Sequence, residues 1–338
     1  VLILIPTLGT YRTFLLLAGV LAVVAIIGLI KTEGKKAAFL LAIPLLLYPA
    51  LALWALPGSD KNTTGIIFET ESGYNYIQVL ESNDYRYLRL NEGQGIHSMY
   101  NPSILYYGGP WEMVLVAPFF SNTPFDLNQV KSMAIVGLAA GTTARQASLV
   151  YPNIHIDGIE IDPKIVEVGK EYFGMDLPNL NIIIQDGRWA LEQSDKSYQV
   201  ISVDAYRPPY IPAQMTTVEF FHTVYDHLEE DGVMVINVGR APNDRSLINA
   251  LSSTILAVFP SIYVVDLPGT FNTLLYATRE PTTVQNLYNN FARVSLAAEK
   301  QDLLLTAGSV AVANLQPAPE PGQVFTDDKA PVEWITNN

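Results

Sequence analysis

Cysteine is absent from all 338 residues. That excludes disulfides, thiolate metal sites and a cysteine nucleophile, and it leaves the redox compartment undecided. Histidine is scarce: His97, His155, His222 and His227 form no paired ligand spacing, so no metal centre is expected. His222 and His227 are expected on one amphipathic helix, facing solvent. Basic residues are few, 20 Lys and Arg against 33 Asp and Glu, which gives a net charge of −13. A surface of that sign repels phosphate backbones and argues against a nucleic-acid partner. It is compatible with a cationic substrate, although solubility alone accounts for it.

Hydrophobic residues, in contrast, make up 49% of the chain, and the excess lies at the N-terminus. Residues 13–30 and 37–56 are two uncharged runs, each long enough to cross a hydrocarbon core. A short basic loop with Lys31, Lys35 and Lys36 separates them, and Pro44 and Pro49 are expected to kink the second. The expectation is a multi-pass membrane protein with a lipid bilayer as partner, residues 1–58 forming its transmembrane part. Val1–Leu8 reads like the end of a further apolar segment, as in a piece of a longer multi-span protein. The three lysines put their loop in the cytoplasm and the large domain outside. A domain that uses an S-adenosyl compound belongs in the cytoplasm, so the side stays open.

From residue 63 to about 125 the chain is strand-rich, with Ile66–Glu69, Tyr74–Leu80 and Tyr85–Leu90 as candidate strands of a small β-domain. Residues 126–315 then alternate short apolar runs with helical stretches. The runs are Met133–Val136, Ile154–Ile159, Leu180–Ile184, Val200–Val203 and Val233–Val238, and Ile262–Asp266 and Thr273–Thr278 complete the set. The helical stretches are Thr143–Val150, Pro163–Phe173, Arg188–Gln193, Val218–Leu228 and Arg245–Val258. Repeated strand–helix units predict an α/β fold with a doubly wound, mostly parallel seven-stranded sheet, a Rossmann domain of the class I methyltransferase type. Residues 316–338 are a Pro-rich connector and an acidic tail.

The chemistry-bearing residues fall at strand ends. Gly137-Leu138-Ala139-Ala140-Gly141-Thr142-Thr143 follows the first run and leads into a helix. Small residues there let a ligand approach the backbone, or simply make a tight turn. The second run ends Glu160-Ile161-Asp162-Pro163. Glu160 is placed to accept from both ribose hydroxyls, whereas Asp162 before proline reads as a helix cap. The third ends Gln185-Asp186-Gly187-Arg188, with Asp186 placed either to accept from the adenine amine or to cap the next helix. The fourth ends Asp204-Ala205-Tyr206. Carboxylates at three successive strand ends are costly without ligand partners.

These motifs, in this order, resemble the spermidine synthases (polyamine aminopropyltransferases), in the branch that carries transporter-like spans ahead of the enzyme domain. Leu8–Phe14, Ile211–Phe221 and Thr326–Glu333 are similar to stretches of that branch, and Glu71–Val79 is similar to the family's first β-domain strand. The resemblance implies that Gly137, Gly141, Glu160, Asp186 and Gly187 bind decarboxylated S-adenosylmethionine or S-adenosylmethionine, without a metal. It implies that Asp204 takes the proton from an attacking amine or polyamine, and that Gln94 and Tyr206 lie at the substrate. Three departures concern the amine. Ala140 and Arg207 stand where the family has aspartates, and Tyr107–Glu112 replaces its tyrosine-histidine-glutamate segment. Asp327 and Asp328 are candidate replacements, or a solvated tail. Three functions remain: an aminopropyltransferase, another S-adenosyl-dependent transferase, or a non-catalytic subunit. A homo-oligomer or a larger membrane complex is compatible with each.

Overall fold

A computed structural model describes residues 4–34, 47–48, 63–91, 95–206, 210–294 and 302–336. Gln94, Arg207 and the run 37–56, apart from residues 47–48, lie outside the described residues. The chain forms two compact units, 1–82 and 83–338.

The first unit opens with α1 (Leu4–Leu8) and α2 (Thr10–Glu33), joined at Gly9. Between Arg12 and Lys31 the helix carries no charge, and it stops where Lys31, Thr32 and Glu33 give way to Gly34 at φ +81°. Phe14, Val20, Leu21 and Val24 are more than half exposed. Its 24 residues extend over roughly 36 Å, enough to cross a bilayer. Among the described residues this is the helix that is long and apolar enough to span, by length and composition, where two were expected. Glu71 Oε2 accepts from both the backbone N–H (2.6 Å) and the hydroxyl (2.7 Å) of Thr10 at the helix start. Glu71 ends β1 (Ile66–Glu71), which pairs antiparallel with β2 (Tyr76–Ser82).

The second unit begins with another antiparallel pair, β3 (Tyr85–Leu90) and β4 (Ile96–Tyr100). In α3 (Pro110–Val114), Pro110 opens the helix and Glu112 closes a capping box. The residues after it run into the core: Phe120 stacks on Tyr276 at 4.3 Å between ring centres, and the Tyr276 hydroxyl donates to the Met113 carbonyl.

The main sheet contains β5 (Ser132–Val136), β6 (His155–Glu160), β7 (Leu180–Ile184), β8 (Tyr198–Val203), β9 (Leu228–Gly239), β10 (Ser261–Asp266) and β11 (Asn272–Thr278). Its order is β10-β11-β9-β8-β5-β6-β7, with β11 antiparallel to both neighbours and the other pairs parallel. The expected seven-stranded sheet is therefore present. β5 shows why the strand segments are continuously apolar. Met133 and Ile135 enter one core, Ala134 and Val136 the other, so both faces are covered. The helices that follow the parallel strands are α4 (Thr142–Val150), α5 (Pro163–Tyr172), α6 (Gly187–Glu192), α7 (Val218–Asp226) and α8 (Ser246–Leu256). Two further helices, α9 (Val284–Phe291) and α10 (Asp302–Ala313), had no counterpart in the expected elements; Leu304, Ala307 and Ala311 of α10 are fully buried. His222 is exposed on α7, but His227 lies beyond the end of the helix, its ring nitrogens against the carbonyls of Thr223 and Ser194. It therefore does not share a solvent-facing helix with His222.

β5 lies between β6 and β8, so successive units wind outward in opposite directions from it. In such sheets the carboxyl ends of the strands beside the switch point form a crevice.

Candidate active site

The turn after β5 fixes the floor of that crevice. Gly137 has φ +92°, and a Cβ there would lie 2.5 Å from the carbonyl oxygen of Asp204, so the position requires glycine. Ala139 also adopts a left-handed conformation, at φ +48°, without being a glycine. Gly141 caps α4. Every amide of the turn is committed within the protein. Gly137 and Leu138 donate to the Ile159 carbonyl, Ala139 to Glu160 Oε2 (2.9 Å), Ala140 to Ser98 Oγ (3.0 Å) and Gly141 to the Leu138 carbonyl. β4 braces the turn twice, because Thr142 Oγ1 also accepts from the Met99 N–H and donates to the Met99 carbonyl.

Glu160, at the end of β6, is buried, and its second oxygen accepts from the Asp162 N–H at 3.0 Å. Burial pushes its carboxyl up to about 7 against the pull of these backbone donors. Asp162 caps α5 by accepting from the Lys164 N–H, ahead of Pro163. On the neighbouring strand Ile184 pairs with Glu160, and Gln185 donates to the Glu160 carbonyl. Asp186 follows directly. It is half-buried and accepts from the Trp189 N–H, so it caps α6 from the same sheet edge. Gly187 starts α6 against Val136, where a Cβ would come within 2.5 Å of Cγ1. Ile161, Ile184 and Trp189 are 39%, 54% and 51% exposed, an apolar set next in sequence to the two acids.

Asp204 ends β8 one strand to the other side. Its N–H donates to the Val136 carbonyl, and its Oδ1 accepts from Asn237 Nδ2 at 2.9 Å. Burial pushes its carboxyl up to about 6, opposed by the Asn237 amide. The Tyr206 hydroxyl accepts from the Gly239 N–H and donates to the Asn237 carbonyl, which fixes it to the end of β9. The buried Oδ1 of Asn237 has no hydrogen-bond partner. Asn237 was missed in the sequence, where the only signal was an amide inside an apolar strand.

The remaining candidates are placed as follows. Ala140 is buried and brings no charge. Asp327 holds Arg188 with both oxygens, at 2.7 and 2.8 Å, and accepts from Thr217 Oγ1. Asp328 is exposed. His97, beside Ser98 on β4, is kept neutral by burial, which pushes it down to about 4. Among the described residues no three His, Asp or Glu side chains gather as a metal site.

Chemically, the edge offers carboxylate acceptors on both sides of β5, buried at Glu160 and half-buried at Asp204, and apolar surface beside them. The amides of Gly137 to Gly141 are already engaged within the protein. Residues 112–283 match the model of the spermine/spermidine synthase domain. The chain belongs to that family. The matched stretch contains Gly137, Glu160, Asp186 and Asp204, and leaves out β4 and Asp327. A probable polyamine aminopropyl transferase of Bifidobacterium longum is 34% identical over 80% of this chain, which spans 62% of the relative's length. A probable spermidine synthase from Corynebacterium glutamicum shares the fold with a TM-score of 0.61 at 18% identity, over 80% of this chain and 99% of that one. A spermidine synthase in complex with the transition-state analogue AdoDATO gives 0.55 at 20% identity, over 72% and 83%.

Proposed function

We propose that the chain is a membrane-anchored aminopropyltransferase that uses decarboxylated S-adenosylmethionine and an amine acceptor. The observation that carries this is the half-buried carboxylate of Asp204, held by Asn237 on the opposite side of the Gly137 turn from Glu160. Glu160 binds the ribose diol, Asp186 the adenine amine, and Ile161 and Ile184 flank the base. Family membership, the name of the Bifidobacterium relative and the AdoDATO bound to a structural neighbour support this assignment.

The acceptor arrives as an ammonium without a lone pair. Asp204 takes one proton, and the freed amine attacks the aminopropyl methylene carbon bonded to sulfur. A C–N bond forms as the C–S bond breaks, and the electron pair stays on sulfur, so methylthioadenosine leaves neutral. The sulfonium is already a good leaving group, so alignment and proton acceptance are what the protein adds.

Ala140 lacks the carboxylate that would hold the far end of a diamine, and Asp327 is engaged with Arg188. We therefore expect weak spermidine formation from putrescine and better turnover with a monoamine. A product assay with decarboxylated S-adenosylmethionine and a panel of amines tests this. Transfer should fall about 10²–10⁴-fold in Asp204→Asn. At saturating nucleoside, native kcat/KM for the amine should rise with pH through about 6, where Asp204 ionises. Equal activity of Asp204→Asn with every amine would refute the assignment. If methylthioadenosine binds but no amine is modified, a transferase with a different donor becomes the better account.

The anchoring part rests on α2 and Glu71. Because Glu71 caps the start of α2, that start and β1 share one membrane face.

A further inference from the structure

Two stretches typical of the membrane-fused branch, Ile211–Phe221 and Thr326–Glu333, have no part in the transfer chemistry above, yet a single guanidinium joins them. Arg188 Nη1 donates to Asp327 Oδ1 (2.7 Å) and to the Gln214 carbonyl (3.1 Å), and Nη2 donates to Asp327 Oδ2 (2.8 Å). Thr217 Oγ1 donates to the same Asp327 Oδ1, and the Asp327 N–H donates to Glu219 Oε2. The turn that presents Asp327 is closed by reciprocal backbone bonds between Thr326 and Lys329. It is anchored by Phe325, fully buried, whose carbonyl accepts from the Val218 N–H.

We infer that Arg188 and Asp327 are positioning residues: their clasp holds the connection that leaves Asp204, at residues 210–217, against the first turn of α6. This rests on the proposed function, in which Asp204 opens the acceptor side and Asp186 and Gly187 the adenine side. Arg188 follows those two residues directly, so the clasp ties one half of the site to the other. The connection is otherwise seated by Ile211, Met215 and Thr216, all buried. A bidentate pair with a shared hydroxyl fixes direction as well as distance, which a lone surface ion pair does not. The geometry also separates this role from a direct grip on substrate. Both oxygens of Asp327 face Arg188, whose hydrogen bonds hold the Asp327 carboxyl below its usual range. An incoming ammonium would have to compete with the guanidinium.

The test uses the full chain in detergent, with kcat and KM measured for the best amine at saturating decarboxylated S-adenosylmethionine. Arg188→Gln and Asp327→Asn should each raise the amine KM by about tenfold, and the double variant should be no worse than either single one. The exchanged pair, Arg188→Asp with Asp327→Arg, should recover part of the loss in KM, with kcat little changed in all the variants, whereas a merely structural role would lower kcat as well. Effects that multiply in the double variant, or a KM change in Asp327→Asn alone, would overturn the inference; the latter would mean that Asp327 contacts the amine. If the native chain transfers to no amine, the proposed function fails, and the clasp is then read by amide hydrogen exchange. Exchange in residues 210–217 should quicken in both single variants and slow again in the exchanged pair, and unchanged exchange would sink the clasp.

Discussion

Glu160 is under opposing demands. Burial favours its protonated form, whereas two backbone amides and, under the proposed function, a ribose diol call for the carboxylate. With the free carboxyl pushed up to about 7, a growing share of the protein must lose a proton before it binds nucleoside as the pH falls below that value. Affinity for methylthioadenosine should therefore rise as pH increases from 5.5 to 7 and level off above, and Glu160→Gln should bind weakly with a flat profile. Calorimetry across that range decides it. Ala139 carries a different cost, since its left-handed conformation is disfavoured by about 1–2 kcal/mol for a residue with a Cβ. Ala139→Gly should raise the unfolding free energy by about 1 kcal/mol, read by denaturant unfolding, because the turn hydrogen bonds remain.

β4 connects elements distant in sequence. Ser98 reaches the Ala140 amide across 42 residues, and Met99 pairs with Thr142. Ser98→Ala would leave a buried amide without a partner, which costs about 1–3 kcal/mol. The expected outcome is a nucleoside Kd raised about tenfold or more, with Ser98→Thr recovering part of it. An unchanged Kd would show that the turn holds its shape without the brace. This element also shows where sequence reading ends. β5 and β6 were legible because strands buried on both faces must be apolar along their whole length. Glu160 and Asp204 were legible because they end such runs. β4 carries His97 and Ser98, so its pattern is polar, and its role depends on one tertiary hydrogen bond. The engagement of Asp327 was equally hidden, because Arg188 lies 139 residues earlier. α10 escaped because a short apolar segment reads alike as buried helix or strand.

For the molecule as a whole, the absence of cysteine becomes an experimental asset. Single cysteines introduced at Thr32 and Ser72 would report on opposite membrane faces if α2 crosses the bilayer. In sealed vesicles a membrane-impermeant maleimide should label one and spare the other, and inverted vesicles should reverse the result. Labelling of both from one side would mean that α2 lies outside the membrane, and the anchoring proposal would fail.

The committed amides of the Gly137 turn bear on competition inside a cell. Phosphate-binding turns hold their N–H groups open. Here the amides of Gly137 to Gly141 all bond within the protein, and an acidic protein surface adds repulsion. Under the proposed function, such a turn discriminates against nucleotides that carry phosphates. Adenosine triphosphate should accordingly fail to displace methylthioadenosine from it, even in large excess.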